Sequence, residues 1–128
     1  MAERATTPEA VARAWWAAID NGDFAAAARL CPESAVVEWP LSNERMTSIE
    51  NWRLVNEHYP GTWRALITGL VADWDSVVTV ANVFDEKAAV TAISFFSIHD
   101  GLIEKLVEYW PEPYQAPEWR SGWTEPLP

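Results

Sequence analysis

Hydrophobic and polar residues follow a helical period in the first half of the chain and a strand period in the second half. The first helical stretch opens at Thr7-Pro8, where a hydroxyl cap and a proline in the first turn favour a helix start. It closes at Asn21-Gly22, because glycine tolerates the left-handed conformation of a helix C-terminus. Its apolar positions form one stripe that we expect to face the core, made of Val11, Ala14, Trp15, Ala18 and Ile19.

A second helix and a strand follow. Asp23 caps a short helical stretch that runs from Phe24 to about Leu30. Ser34–Trp39 is rich in β-branched and aromatic residues, which predicts a strand. Residues 40–46 are mostly polar and predict a loop.

The third helix has its own start and stop signals. Thr47 and Glu50 have the spacing of a capping box, in which the two residues satisfy free backbone N–H groups at a helix start. Pro60-Gly61 ends the helix. Its predicted apolar face comprises Ile49, Trp52, Val55 and Tyr59.

From Trp63 onward the chain has the pattern of four strands joined by short turns. The predicted strands are Trp63–Ala72, Ser76–Phe84, Ala88–Ile98 and Leu102–Trp110. Such short connections require antiparallel hairpins, and Asp100-Gly101 is the strongest turn signal among them. The second and third strands are apolar on both faces, so one face can pack on the helices while the other needs a cover, most simply a second copy of the chain. The predicted fold class is therefore α+β, with three N-terminal helices packed on a curved antiparallel sheet.

The C-terminal tail, residues 111–128, is rich in proline and tryptophan. We expect it to be extended rather than helical, and to be held against the body by Trp119 and Trp123. The chain has 128 residues, which is enough for one compact core and too few for two. We therefore expect one domain over 1–128, with the tail as part of it.

Composition and charge narrow the possible partners. The net charge of -10 argues against nucleic acid and anionic membranes as partners. A lone Cys31 excludes an internal disulfide, and with two distant histidines it offers no metal-ligand spacing. Glycine-rich nucleotide motifs, a secretory signal and an apolar run of roughly 20 residues are all missing. We therefore expect a cytoplasmic protein without a metal or cofactor.

Two segments resemble the nuclear transport factor 2-like superfamily, and its SnoaL-like members in particular, which include polyketide cyclases and ketosteroid isomerases. VARAWWAAIDNGDFAAAARLCPESAVVEWP at 11–40 resembles the family's helix, x-x-G-D turn, helix and first strand. HDGLIEKLVEYW at 99–110 resembles its last strand. The resemblance covers nearly the whole chain and implies a cone-shaped α+β barrel. It also implies a pocket between the sheet and the helices, and a homodimer through the other face of the sheet.

The catalytic positions of these relatives are changed here. The x-x-G-D turn and the strand-end proline align the three polar groups of ketosteroid isomerases with Trp15, Trp39 and Ser94. The resemblance therefore implies that the isomerase proton shuttle is absent. The Asp-Arg-Asp constellation of limonene epoxide hydrolases, and the aspartate and histidine of SnoaL-like cyclases, have no clear counterpart either.

The same resemblance makes Glu108 the leading candidate for chemistry. A period of two puts it on one face of the last strand with Leu106 and Trp110, and puts Ile103, Val107 and Tyr109 on the other. The resemblance implies that the Glu108 face lines the pocket, where aromatic walls would raise the pKa of the carboxyl into a range useful for acid–base catalysis. The alternative is a Glu108 that pairs with a cation on the sheet. The implied substrate-binding residues on these elements are Trp15, Trp39, Ser94, Phe96, Leu106 and Trp110.

Three residues at the end of the third helix are further candidates. His58 has the side chain best suited to moving protons near neutral pH, or it is a helix-end histidine placed favourably at the negative end of the dipole. Tyr59 is a candidate contact at the pocket mouth. Asn56 is either a polar anchor for a ligand or a partner of the backbone in the next loop.

Three functions remain open at this point. The leading hypothesis is a cofactor-free cyclase, isomerase or dehydratase for a small hydrophobic substrate, with Glu108 moving the proton and His58 assisting. The second is a non-catalytic protein that binds a hydrophobic ligand in the same pocket. The third is a dimeric protein-interaction module, which predicts a closed pocket and an exposed aromatic patch.

Overall fold

The computed structural model describes residues 7–128 and confirms the predicted α+β fold class. The N-terminal segment that we searched for a secretory signal lies mostly outside these residues. The helices are α1 (Pro8–Asp20), α2 (Phe24–Ala28) and α3 (Ile49–Glu57). The strands are β1 (Val36–Trp39), β2 (Glu44–Met46), β3 (Arg64–Ala72), β4 (Ser76–Phe84), β5 (Ala89–His99) and β6 (Leu102–Tyr109). None of the helices over residues 7–128 is long and apolar enough to cross a membrane.

The six strands form one sheet in the order β2-β1-β6-β5-β4-β3. The predicted antiparallel hairpins from β3 to β6 are confirmed. The sheet is nevertheless mixed, because β1 pairs in parallel with β6. The edge strands β2 and β3 do not pair with each other in the described chain, so the sheet is open rather than a closed barrel.

One predicted loop is a strand instead. Residues 44–46 form β2 and pair antiparallel with β1, so the prediction of a loop over 40–46 is wrong at its end. A short 3-10 turn at Pro40–Ser42 and a left-handed Asn43 (φ 59) reverse the chain tightly enough to form this hairpin. Asparagine tolerates this conformation better than most residues, which explains its position.

A β-bulge in β6 changes which residues face the interior. Ser97 pairs with Lys105, but the next residue of β5, Ile98, pairs with Ile103. Glu104 is therefore an extra residue, and strict alternation fails at this point. Ile103 is 1% exposed on the same side as Leu106, whereas the alternation pattern placed it on the opposite face.

The helix caps were predicted well at two of three helices. Thr7 accepts a hydrogen bond from Ala10 N at 3.1 Å, and Asp23 accepts one from Ala26 N at 3.0 Å. At α3 the cap is Ser48, not Thr47, and it accepts from Asn51 N at 3.1 Å. The predicted capping box is thus wrong by one residue.

The core centres on aromatic residues from α1 and α3. Trp15 and Trp16 of α1 and Trp52 of α3 are at most 3% exposed. The stripe on α1 includes Trp16 and excludes the predicted Ala14, which is exposed, because the helix presents two adjacent i, i+4 rows to the sheet. The buried residues of α1 are Val11, Ala12, Trp15 and Trp16.

The tail is not held by its tryptophans. Trp119 and Trp123 are 74% and 83% exposed, so the predicted anchoring is wrong. Over 111–128 the regular structure is a single 3-10 turn at Glu118–Arg120. Proline lacks a backbone N–H, so the prolines at 111, 113 and 117 prevent this segment from extending the sheet.

Asp20 joins the end of α1 to the start of β3. Its Oδ1 accepts from Arg64 Nε at 2.7 Å and from Ala65 N at 2.9 Å, and its Oδ2 accepts from Arg64 Nη2 at 3.0 Å. The hydrogen bonds from Arg64 and then from Ala65 lower the pKa of Asp20 below its ordinary 3.8. Because the pKa is lower in the folded state, this interaction stabilises the fold above the ordinary pKa and is lost as the pH falls through the folded value.

We therefore expect Asp20→Asn to lower the midpoint of thermal unfolding at pH 7, with a gap to the wild type that narrows below pH 3.8. The measurement is thermal unfolding followed by circular dichroism across this pH range. Glu9→Gln is the control, since it breaks an exposed ion pair with Arg13 and removes a first-turn carboxylate of the same helix, and both effects are small at the surface. Equal stability of Asp20→Asn and wild type at pH 7 would contradict the assignment.

Candidate functional site

Glu108 lies in the interior between the sheet and the helices, with 3% of its surface exposed. Its Oε2 accepts a hydrogen bond from Ser94 Oγ at 2.7 Å. Its Oε1 accepts one from Trp39 Nε1 at 3.1 Å. Each carboxyl oxygen therefore has at least one donor, and a hydroxyl and an indole stand where the alternative interpretation required a cation.

Strand register brings these three residues together. Ser94 of β5 pairs directly with Glu108 of β6. The parallel ladder of β1 and β6 pairs Glu38 with Val107, so the next residue of each strand places Trp39 beside Glu108. Trp39 is half-buried at the end of β1, directly before the 3-10 turn.

Burial raises the pKa of Glu108 above its ordinary value of 4.5, because the charged form loses its hydration. Hydrogen bonds from Ser94, Trp39 and Trp110 oppose this effect, since they stabilise the carboxylate. Burial is the larger influence. The carboxyl consequently keeps its proton to a higher pH than a glutamate on the surface.

A row of polar side chains extends from Glu108 across the sheet. Ser94 pairs with Glu108 on one side and with Thr79 of β4 on the other, and both hydroxyl residues are fully buried. Thr79 Oγ1 accepts from Trp16 Nε1 at 2.9 Å. We did not anticipate Thr79 or Trp16 from the sequence. A polar residue at an inward position of the apolar strand β4, between Val77 and Ala81, was the signal that could have found Thr79.

The apolar part of the interior consists of the expected rings and aliphatic side chains. Trp15, Phe96 and Leu106 are each 1% exposed, and half-buried Trp110 packs against the core. Trp15 lies against Trp52, with ring centroids 4.5 Å apart, and meets Phe96 edge-on at 6.2 Å. Trp52 belongs to this wall, although the sequence indicated only that it faces the core.

The three candidates at the end of α3 lie away from this interior. His58 is exposed, and its Nδ1 is 2.7 Å from the Leu54 carbonyl oxygen. Tyr59 is 59% exposed and packs edge-on against Trp63. Asn56 Nδ2 donates to the Trp52 carbonyl oxygen at 2.9 Å, within its own helix. The structure therefore does not bring these three side chains to Glu108.

The interior beside Glu108 is closed in this conformation. Two shallow concavities lie on the surface of the described chain. One is lined by Glu38, Pro40, Asn43, Glu44 and Arg45, and the other by Thr91, Pro111, Glu112, Pro113 and Tyr114. Neither is lined by Glu108, and the pocket expected beside this residue stays a prediction.

The other reactive groups in the described chain are poor candidates for a catalytic role. Burial raises the pKa of the Cys31 thiol to about 12, so the thiol stays protonated and is a poor nucleophile. Within the described part of the chain, no three His, Cys, Asp or Glu side chains are grouped as metal ligands. Among the acidic side chains of the described chain, Glu108 is the one that is buried, and it accepts hydrogen bonds from Ser94 and Trp39.

The raised pKa of Glu108 has a consequence for stability that can be measured. A carboxyl that binds its proton more tightly in the folded state makes the fold less stable as the pH rises from 4.5 through the folded pKa. Gln resembles the protonated carboxyl and does not titrate. We expect Glu108→Gln to gain stability relative to the wild type as the pH rises above 4.5.

Denaturant unfolding at several pH values measures this difference. Glu104→Gln is the matched control, because it removes one carboxylate from an exposed position of the same strand. A constant difference between Glu108→Gln and wild type across the range would mean that Glu108 titrates as it does in the unfolded chain.

Comparison with known structures agrees with this fold. The chain is similar to a candidate ketosteroid isomerase from Kribbella flavida, with 28% identity, a TM-score of 0.86, and coverage of 93% of this chain and 88% of that chain. It is similar to a protein of unknown function with the nuclear transport factor 2-like fold from Burkholderia xenovorans, at 22% identity, TM-score 0.79 and 94% coverage of both chains. A candidate polyketide cyclase from Xanthomonas campestris has 16% identity and TM-score 0.66, with 81% of this chain and 90% of that chain covered.

The last two likenesses concern the fold alone, because sequence identity is low. No protein of curated function matches the chain in sequence. The SnoaL-like domain family matches residues 12–106, which span the chain from α1 into β6. This match covers well over half of the 128 residues, and the chain belongs to the SnoaL-like domain family.

Proposed function

We propose that this protein is a cofactor-independent enzyme of the cyclase, isomerase or dehydratase type, acting on a small hydrophobic substrate. The observation that carries the proposal is the carboxyl of Glu108, the one buried acidic side chain in the described chain. Burying a carboxyl destabilises a fold unless the charge is compensated, and perturbed acids are enriched at catalytic sites. The candidate ketosteroid isomerase among the similar structures supports the same class of reaction.

In the proposed reaction, Glu108 transfers a proton between two atoms of the substrate. The carboxylate removes a proton from a substrate carbon, the C–H electron pair moves into the substrate, and an O–H bond forms on Glu108. The acid then returns the proton to another atom of the substrate, or to a departing hydroxyl, which leaves as water. The proton balance closes without an oxidant, a reductant or a second reactant.

Ser94 and Trp39 are positioning residues for both forms of the carboxyl. Trp39 can only donate a hydrogen bond, so it holds Oε1 in place. The Ser94 hydroxyl can donate to the carboxylate and can accept from the protonated acid after rotating. The sequence resemblance aligns these two positions with acids of ketosteroid isomerases. The proposed acid, Glu108, therefore lies in the same region as the isomerase acids, but on β6 instead of β1 and β5.

Access to Glu108 requires movement of an aromatic side chain. Trp39 and Trp110 are half-buried, and both contribute hydrogen bonds that lower the pKa of Glu108. We propose that a substrate turns one of these indoles aside. Loss of that indole's hydrogen bond would raise the pKa of Glu108 further when substrate is bound.

We expect Glu108→Gln to lower turnover by about 100-fold or more, because a positioned acid–base group contributes roughly that factor. Native mass spectrometry of the protein purified from its host identifies the retained compound, and turnover of that compound is then followed by mass. Ser94→Ala is the comparison, and it should cause a smaller loss together with a shifted pH profile. Full activity in Glu108→Gln would sink the proposed mechanism. Retention of the compound by both forms without turnover would favour a binding protein instead.

A protein-interaction module is the second candidate, favoured by the distribution of exposed aromatic residues. The interior is closed, and large aromatic side chains lie on the surface. The most exposed are Trp74 at 85%, Tyr114 at 80%, Trp119 at 74% and Trp123 at 83%. Exposed aromatic residues are typical of interaction surfaces.

We also propose that the protein is a homodimer in which the outer face of the sheet packs on a second copy. This face carries apolar residues that the single chain leaves exposed. They include Leu66 at 60%, Val71 at 73% and Phe95 at 45% exposure. Phe95 contacts Tyr109 edge-on at 6.1 Å, so the face is already ordered before a partner binds.

Sedimentation velocity at micromolar concentration tests the dimer. We expect the wild type to be dimeric and Phe95→Lys to be monomeric, since a charge in an apolar interface loses its hydration. Leu127→Lys, in the tail at 94% exposure, is the control and should remain dimeric. A monomeric wild type would contradict the proposal.

A further inference from the structure

Residues 118–124 of the C-terminal tail form a compact turn, here called the tail turn, that presents a tryptophan to the surroundings. The Trp123 N–H donates to the Arg120 carbonyl oxygen at 3.1 Å, and the Thr124 hydroxyl donates to the same oxygen at 3.2 Å. The side chain of Trp123 is nevertheless 83% exposed. Because hydrogen bonds already hold the backbone that carries this indole, little conformational entropy remains to be lost when the indole binds.

The two tryptophans of the tail have different surroundings. The guanidinium of Arg120 lies over the ring of Trp119, at 5.9 Å from the ring centroid. Within residues 7–128, the ring of Trp123 has neither a cation nor another aromatic ring against it in this way. Tryptophan is enriched among the residues that anchor protein interfaces, because its large ring buries much apolar area at a low entropy cost. Trp123 is therefore the side chain of the tail best placed to act as an anchor.

A shallow groove between β5 and the start of the tail, here called the tail groove, has the chemistry to accept an indole. Its volume is about 390 Å³, and its lining residues are Thr91, Pro111, Glu112, Pro113 and Tyr114. The two proline rings, the tyrosine ring and the threonine methyl offer apolar contacts to the faces of a flat ring. Glu112 supplies the one carboxylate of the lining, which can accept a hydrogen bond from an indole N–H. The tail groove therefore suits a side chain with an apolar body and one donor, as tryptophan has.

The tail groove is continuous with the outer face of the sheet, on which the proposed dimer forms. Ala92 and Ser94 of β5 are fully buried on the inner face, so strand alternation puts Thr91, Ile93 and Phe95 on the outer face. The four residues from Thr91 to Phe95 span about 13 Å along the strand. A second copy that covers Phe95 would therefore also lie close to the tail groove.

The symmetry of a dimer favours a contact between chains. In a two-fold dimer, every contact from one patch to a second patch on the other copy is accompanied by the reverse contact. Each chain carries one tail groove and one Trp123, so each can supply the anchor for the other. In the single chain Trp123 is not among the residues that line the groove. The nine residues from Tyr114 to Trp123 span up to about 30 Å when extended, which is enough to reach a neighbouring copy.

We infer that the tail turns are exchanged in the homodimer, so that Trp123 of each protomer inserts into the tail groove of the other. The indole packs against the proline rings and Tyr114, and its N–H donates to Glu112. The inference rests on the proposed dimer and goes beyond the proposed catalytic function, because it gives the tail a role that does not involve Glu108. Each dimer contains two such contacts, which extend the interface from the sheet to the tails.

Trp123→Ala tests the anchor by sedimentation velocity over a concentration series. We expect the dissociation constant of the dimer to rise about 30-fold or more, which is the effect of truncating a tryptophan anchor at an interface. Trp74→Ala is the matched control, because Trp74 is 85% exposed in the turn between β3 and β4 and should leave the dimer unchanged. A Trp123→Ala dimer as tight as the wild type would overturn the inference and leave the dimer itself in place. A monomeric wild type would overturn both.

Cross-linking distinguishes insertion between chains from insertion within one chain. Thr91→Cys puts a thiol in the tail groove, and Ser121→Cys puts one in the tail turn, two residues before Trp123. Cys31 does not compete, because burial raises the pKa of its thiol to about 12 and keeps it protonated.

The two full-length variants are mixed, one of them labelled with ¹⁵N, and treated with a short bismaleimide. We expect a cross-linked dimer that contains one chain of each variant, identified by its mass. Adding Trp123→Ala to the Ser121→Cys chain should abolish this product, whereas adding Trp74→Ala should not. The inference is wrong if the mixed product does not form, if it persists with Trp123→Ala, or if a chain that carries both cysteines cross-links only within itself.

Discussion

The parallel pairing of β1 with β6 is the contact on which the rest of the structure depends. It is the one parallel pair among the strands that the structure describes, and it joins the helical half of the chain to the meander of β3 to β6. Parallel neighbours need a long crossover, which α3 and the meander provide here. The same pairing puts Trp39 beside Glu108, so the overall topology and the candidate site have one origin.

Opposing effects act on the carboxyl of Glu108. Burial favours the protonated form, while donors from Ser94, Trp39 and Trp110 favour the carboxylate. Such a balance is sensitive to small changes, because loss of one donor or admission of water shifts the protonation state. A side chain in this condition is costly as a purely structural element and useful as an acid or base. Glu108 is therefore a better candidate for catalysis than His58, which is exposed and bonded to its own helix.

The interior and the surface of the domain suit different kinds of partner. Aromatic side chains fill the interior, yet within residues 7–128 the indole N–H of Trp15 has no hydrogen-bond partner. The outer face of the sheet and the C-terminal tail leave large apolar side chains exposed. A ligand would accept the hydrogen bond of the Trp15 indole, and another protein chain would cover the exposed apolar side chains. Catalysis and association are therefore compatible in one domain.

The sequence by itself determined the α+β class and the hairpins. For most residues it also determined which face of their helix or strand the side chain occupies. These follow from local rules, since periodicity and turn residues act over a few positions, as at Asp100-Gly101, where both residues have positive φ. It also limited Glu108 to one of two faces, and the family resemblance selected the inner one.

Only the tertiary structure decided which groups meet Glu108, and it did so through contacts between distant segments. Ser94 and Trp39 are 14 and 69 residues away in sequence, and no local pattern relates them to a carboxyl. The β-bulge at Glu104 and the hairpin of β2 likewise depend on the neighbouring strand, because a ladder can absorb an extra residue or recruit a loop only where a partner is present. The tertiary structure also decided that the indole of Trp15 is unpaired within the described residues. Whether a buried donor finds a partner depends on packing, which the position of one residue in the chain does not encode.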